Sequence, residues 1–163
     1  VPQLQHKLPF RAVLKYQLDV SLMDENESTV DELELLVVLK VADQGVITTE
    51  TRVENRSGPF KVPEDLTRAG RFQLGQSLPE FLPALPSHEL KEGDAWTSGE
   101  VFYELTSIKG DVAEIVSRQV TSDPPAEVEW LYEFDFKRGL VLLAQSVTES
   151  QSKRRVCEYE LLD

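Results

Sequence analysis

Residues Leu78 to Trp96, LPEFLPALPSHELKEGDAW, interrupt a chain that elsewhere alternates apolar and polar residues. Pro79, Pro83 and Pro86 each remove a backbone donor and restrict the residue before them, so neither a regular helix nor an internal strand fits here. A free linker between two domains would be polar, whereas Leu78, Phe81, Leu82, Leu85 and Leu90 are not. Both constraints are met by an irregular strap with local polyproline-like geometry, lying across a hydrophobic face. Choosing strap over linker also chooses one domain over two.

Upstream the pattern is that of strands. Phe10, Ala12, Leu14, Tyr16, Leu18, Val20 and Leu22 fall on successive even positions with mostly polar residues between them, the period of a strand with one buried face. Such a run would extend about 40 Å, long enough to require a bend within a curved sheet. A polar turn, Met23 to Thr29, leads to Val30 to Val41, where Leu36 and Val38 add apolar residues opposite Leu33, Leu35, Val37 and Leu39; this predicts a strand covered on both faces. Asp43-Gln44-Gly45 suits a hairpin loop, and Val46 to Glu54 a third strand. Asn55 to Gly58 reads as a turn, Pro59 to Val62 as a short edge strand, and Pro63 to Ala69, with proline and two acids leading, as one or two helical turns.

Downstream, Gly99 to Lys109 reads as one strand with Val101, Tyr103 and Leu105 on one face and Phe102 on the other. Gly110-Asp111 is a two-residue hairpin turn into Val112 to Val120. Asp123-Pro124-Pro125 breaks the chain before Val128, Trp130, Tyr132, Phe134 and Phe136, an aromatic strand face. Arg138-Gly139 turns into Leu140 to Val147, and Arg155 to Leu162 forms the last strand. The fold expected is mainly β: a curved antiparallel meander, sandwich or partly open barrel, with the strap and one short helix. Its parts are a meander over 10–62, helix and strap over 63–96, and a meander over 99–162, all in a single domain of 163 residues.

The composition narrows function by exclusion. A formal net charge of −12 argues against binding a nucleic-acid backbone, which needs clustered Lys and Arg, and reads as solubility and self-repulsion. No run of 18 apolar residues exists to span a membrane as a helix. Cys157 is the sole cysteine, so there is no internal disulfide and no Cys/His zinc motif; in phase with Tyr159 and Leu161 it reads as a core thiol. The start at Val1-Pro2 rather than methionine reads as a protein freed of an export sequence or a piece of a longer chain.

The strap and its exit carry a resemblance. A leucine-proline-rich segment, then Gly93, Asp94 and Trp96, a hairpin at Gly110 and Asp111, and a strand through Phe134 and Asp135 turning at Gly139 together resemble a set of bacterial secreted or lipoprotein-like β domains. The resemblance covers about the second half of the chain. It implies an extracytoplasmic, periplasmic or secreted, location and transfers no catalytic residue. No lipidation cysteine stands near Val1.

No catalytic constellation emerges from the residues. Ser87-His88-Glu89 has the residue types of a hydrolase triad, but adjacent positions cannot form its hydrogen-bonded line, and His6 and His88 have no metal-binding spacing. Asp24, Glu25, Asn26 and Glu27 lack the glycine and terminal glutamate of a calcium loop. Glu127 with Glu129, and Glu133 with Asp135, share a strand face and would be the acid and base of a carboxylate-dependent hydrolase, although a solvated strand face looks the same. Asn26-Glu27-Ser28 and Asn55-Arg56-Ser57 are glycosylation sequons in predicted turns. The expectation is a noncatalytic binding or assembly module without metal or cofactor. It would present Leu78, Phe81, Leu82, Leu85, Trp96 and Trp130 to a protein partner or apolar small molecule; the alternative is an accessory subunit of a larger complex.

Overall fold

In the computed structural model, ten strands among the described residues form one open antiparallel sheet. The structure describes residues 1–163 apart from 25, 27–28, 59–61, 124, 152 and 163. The strands are β1 (Val13–Met23), β2 (Thr29–Val41), β3 (Val46–Ser57), β4 (Gly70–Gln73), β5 (Ala95–Ser98), β6 (Val101–Lys109), β7 (Val112–Ser122), β8 (Pro125–Asp135), β9 (Leu140–Ser150) and β10 (Lys153–Leu162). One helical turn, α1 (Glu64–Thr67), precedes β4. The spatial order is β4-β3-β2-β1-β10-β9-β8-β7-β6-β5, so two meanders meet where the first strand pairs with the last. Lys15 faces Leu162 and Met23 faces Arg154 along that seam.

This order explains the strap. The chain leaves β4 at one edge of the sheet and re-enters at β5 on the other, so residues 74–94 must cross the sheet. They cross its apolar face, where Phe81, Leu82 and Leu90 are buried in the same core as Tyr16, Leu18, Leu35, Leu105, Ile115, Tyr132 and Phe134. A segment too rich in proline for regular structure must satisfy its backbone groups elsewhere. Tyr132 donates its hydroxyl to the Glu80 carbonyl (2.9 Å), His6 Nε2 donates to Pro83 (2.7 Å) and Trp96 Nε1 to Ala84 (2.8 Å). Gln3 Nε2 donates to Ser87 (3.0 Å), and the Leu90 amide to Pro2 (2.9 Å).

The lead-in, residues 1–12, lies against the strap. Leu4 and Leu8 are buried, Gln3 bridges to Glu89, and the Lys7 amide donates to the Gly139 carbonyl (2.9 Å) at the β8–β9 turn. Gly139 has φ 71° and a Cβ there would collide with Lys7, so glycine is required twice over. Burial and the edge of the Phe134 ring surround His6, and burial pushes its pKa below the ordinary 6.5 against the opposing Pro83 hydrogen bond.

Several sequence expectations are corrected. The first strand begins at Val13 rather than Phe10: Arg11 takes φ 69° in a turn after Pro9, and Phe10 stays half-exposed beneath the Arg11 guanidinium. Residues 55–57 continue β3 instead of turning, because a bulge near Glu54 shifts the register and lets Asn55 pair with Glu34 and Ser57 with Glu32. The sequon at Asn55 therefore sits on an exposed strand end, while part of the turn and sequon at Asn26 and of the acidic loop lies outside the described residues. The edge strand expected over 59–62 also falls largely outside them; the edge is β4, paired with Val46 to Thr49. Leu36 and Val38 are only half-buried, with Gln17 and Lys15 on one side and Arg52 and Glu50 on the other, so long polar side chains shield them in place of a second layer. The strand expected over 99–109 is there but begins at Val101: Gly99, at φ 59°, and Glu100 turn a tight hairpin that joins it to a further short strand, β5, before it.

That hairpin gives Trp96 a strand of its own, stacked on Tyr103 at 5.6 Å between ring centroids. The strap's exit then covers the edge of β6: the Gly93 amide donates to Leu105 O, the Leu105 amide to Asp94 O and the Ile108 amide to Glu92 Oε1 (2.8 Å). The edge is thus occupied by the chain's own backbone and a carboxylate.

Candidate functional site

Strand register sorts the strap-side face into rows. One row runs Ala113, Phe134, Val141 in β7 to β9, with Leu161, Tyr16 and Val37 in β10, β1 and β2. The next runs Ile115, Tyr132, Ala144, Tyr159, Leu18, Leu35. Both are dense with large side chains, and Phe81 of the strap is held between Tyr159 (stacked, 4.6 Å) and Tyr16 (edge-on, 5.1 Å). A bulge in β9 lets the Tyr16 hydroxyl donate to the Val141 carbonyl at 2.8 Å.

Toward the other end of the strands the rows change character. They read Ser117, Trp130, Ser146, Cys157, Val20, Leu33 and then Gln119, Val128, Thr148, Arg155, Leu22, Asp31. Alternation is intact, but small and polar side chains occupy inward positions, and the strap no longer reaches down to them. The result is a partly open cavity of about 660 Å³. Trp130, Tyr132, Tyr159 and Val128 line it from the sheet, Leu78, Leu82 and Leu85 from the strap, and Leu66 from α1. A space of this size holds a drug-sized molecule.

Among the described residues that line the cavity, Arg155 is the cation. Arg155 Nη1 lies 2.8 Å from Asp65 Oδ2 of α1, tying the helical turn to β10. Burial opposes the guanidinium charge, but the Asp65 and Glu80 carboxylates favour it, and the Arg155 pKa is raised. Burial dominates at Cys157 and pushes the thiol up against the counter-influence of Arg155, leaving a protonated, unreactive group. It likewise raises the hydroxyls of Tyr103, Tyr132 and Tyr159, which stay neutral donors.

Of the six residues singled out from sequence, Leu78, Leu82, Leu85 and Trp130 line the cavity together. Phe81 and Trp96 do not: both are rivets that fix the strap, Phe81 by its two ring contacts and Trp96 by its bond to Ala84. The strand carboxylates point away from the cavity, Glu127 pairing with Arg118 at 2.7 Å and Asp135 capping the turn amides of Lys137 and Arg138. His88 is exposed, with Nδ1 against the Glu89 carbonyl, and the Ser87 carbonyl is occupied by Gln3. Among the described residues no group of three or more His, Cys, Asp or Glu is placed to hold a metal, and no helix is long and apolar enough to cross a membrane.

Sequence reasoning passed over Ser117, Ser146, Thr148, Gln119 and Arg155. The signal was available: each interrupts an apolar inward series with a polar residue, and the interruptions fall at the same end of adjacent strands. A scan against models of protein families finds no match to this chain, and a search of curated proteins finds none either.

Proposed function

We propose that this protein is a noncatalytic binding module that holds an apolar small molecule between its sheet and its strap. The carrying observation is the 660 Å³ cavity, with an aromatic wall from β8 and β10 and an aliphatic roof from the strap. Closely packed interiors leave few voids, and this one coincides with a run of inward residues too small to fill it. An extracytoplasmic location is part of the same proposal and rests on the resemblance at the strap and the Gly93, Asp94 and Trp96 exit.

Titration with an uncharged, environment-sensitive apolar dye tests it, following energy transfer from Trp130 in a Trp96→Phe background. Saturable one-to-one binding is expected, and the double variant Ser117→Leu/Ser146→Leu, which fills the cavity, should abolish it while remaining folded by circular dichroism. Absence of saturable binding, or binding indifferent to the filled cavity, overturns the proposal.

A second reading, an accessory subunit, draws on the opposite face. There Phe102, half-exposed, and Val116, Leu131 and Val147 border a shallow groove of about 460 Å³. Association with a protein partner that survives gel filtration and is lost in Phe102→Ser would support that alternative.

A further inference from the structure

We infer that the open face of the sheet, across from the strap, docks a cationic amphipathic segment of a protein partner, with apolar side chains over the groove at Phe102 and Lys or Arg over the carboxylates beside it. This rests on the second reading above and is independent of what fills the cavity. Strand register sets the two halves of the surface end to end. One row on this face runs Glu104, Val116, Leu131, Gln145 in β6 to β9 and continues as Glu158, Asp19, Glu34 in β10, β1 and β2. The row beside it runs Phe102, Arg118, Glu129, Val147. Phe102, Val116, Leu131 and Val147 make the apolar floor of the groove, and the Phe102 ring is 50% exposed.

Charge decides what covers this face. Glu158 stands directly opposite Asp19 and Asp19 opposite Glu34, while in the next row Glu114 stands opposite Glu133. Side chains in such pairs start about 5 Å apart, and like charges there repel. Asp19 and Glu34 are exposed. Gln17 Nε2 donates to Asp19 (3.2 Å) and Gln145 Nε2 to Glu158 (2.8 Å), neutral amides that leave the charge in place. Arg118, the cation within the groove, is held by Glu127 at 2.7 Å. Lys or Arg of a partner laid along the acidic row relieves the repulsion and adds attraction. A second copy of this face would set carboxylate against carboxylate, and an anionic membrane surface would be repelled in the same way. A small polyamine would answer the charge and leave Phe102 and Leu131 uncovered, so the apolar floor and the acidic row together call for a polypeptide. From Leu131 to Glu34 the row crosses four interstrand steps of about 4.8 Å, about 19 Å in all, a span covered by one helix of about 13 residues.

Fluorescence anisotropy of labelled synthetic peptides tests this. Three share a leucine- and phenylalanine-rich half, followed by a half rich in lysine, glutamine or glutamate; a fourth is the lysine half alone. The amphipathic lysine peptide is expected to bind about tenfold or more tighter than the other three, the sum of a few exposed ion pairs, and to lose most of that margin as salt is raised. Asp19→Asn/Glu34→Gln/Glu158→Gln should bring its affinity down to that of the glutamine peptide, and Phe102→Ser down to that of the lysine half alone. Asp43→Asn/Glu89→Gln/Asp111→Asn removes the same charge at exposed loop and strap positions and should leave the margin unchanged. A glutamine or glutamate peptide that binds as well would sink the inference. So would a lysine preference that survives the first triple variant or falls equally in the second, or failure of every peptide to bind. Peptides that bind without regard to charge, and are lost in Phe102→Ser, would leave the accessory-subunit reading standing without it.

Discussion

The two ends of the strap-side face share strands, register and alternation, yet one is packed solid and the other hollow. At the packed end Tyr16, Tyr132 and Phe134 meet the lead-in and Phe81; at the hollow end Ser117, Ser146 and Thr148 occupy equivalent inward positions and the space stays open. Period-two patterning places side chains on a face, but their volume decides whether the face becomes core or cavity. The same strands therefore provide both the packed core and the cavity beside it.

The contrast can be broken first at its firmest point. Phe81→Ala should cost about 3–5 kcal/mol, because it empties a slot between two tyrosines that cannot close fully. Urea denaturation should show this as one shifted cooperative transition; two transitions would mean that the strap divides the chain into separately folding halves. Less drastic, and more pointed, is a matched pair of enlargements. Ala113→Leu, fully buried at the packed end, should destabilise by about 1–3 kcal/mol through overpacking, whereas Ser146→Val at the hollow end should stay within about 1 kcal/mol of the parent. Equal penalties would show that the hollow end is not hollow in solution.

A smaller, pH-dependent effect belongs to the packed end alone. His6 has its pKa lowered by burial, so below the unfolded-state value of about 6.5 the unfolded chain takes up a proton that the folded chain resists. The stability is full above that pH and is lost as pH falls toward the folded-state pKa. His6→Gln, which keeps a donor for Pro83, should shrink the difference in denaturation midpoint between pH 5 and 8; an unchanged difference would assign it to other groups. Least disturbing is a probe of the hollow end: Cys157, a buried and protonated thiol on the cavity wall, should react with iodoacetamide far more slowly in the folded than in the urea-unfolded chain, and more slowly still with dye bound. Labelling at the unfolded rate would place the thiol in open solvent.

The strands and the strap were legible because each announces itself locally, by alternation at Tyr16 to Leu22 or by proline among leucines at Leu78 to Leu90. The corrections fall where the backbone breaks its own period: the left-handed turn at Arg11, the bulge near Glu54 and the tight hairpin at Gly99. Sheet order was not legible, since pairing of residue 15 with residue 162 leaves no trace in any short window. For the same reason the site was half seen. Trp130 and the strap leucines stand out by size, while Arg155 and Ser117 matter through neighbours that only the register supplies.

The seam between β1 and β10 has a consequence for how the protein reaches this state. Each meander can zip up from its own hairpins, but the central pair brings together segments more than a hundred residues apart, and loop closure over that distance is slow. During synthesis β1 is made long before its partner, and one whole edge of it stays unpaired until β10 emerges. The last strand is therefore the keystone of the fold: removing Lys153 to Leu162 would expose two edges in the middle of the sheet and leave a chain prone to self-association.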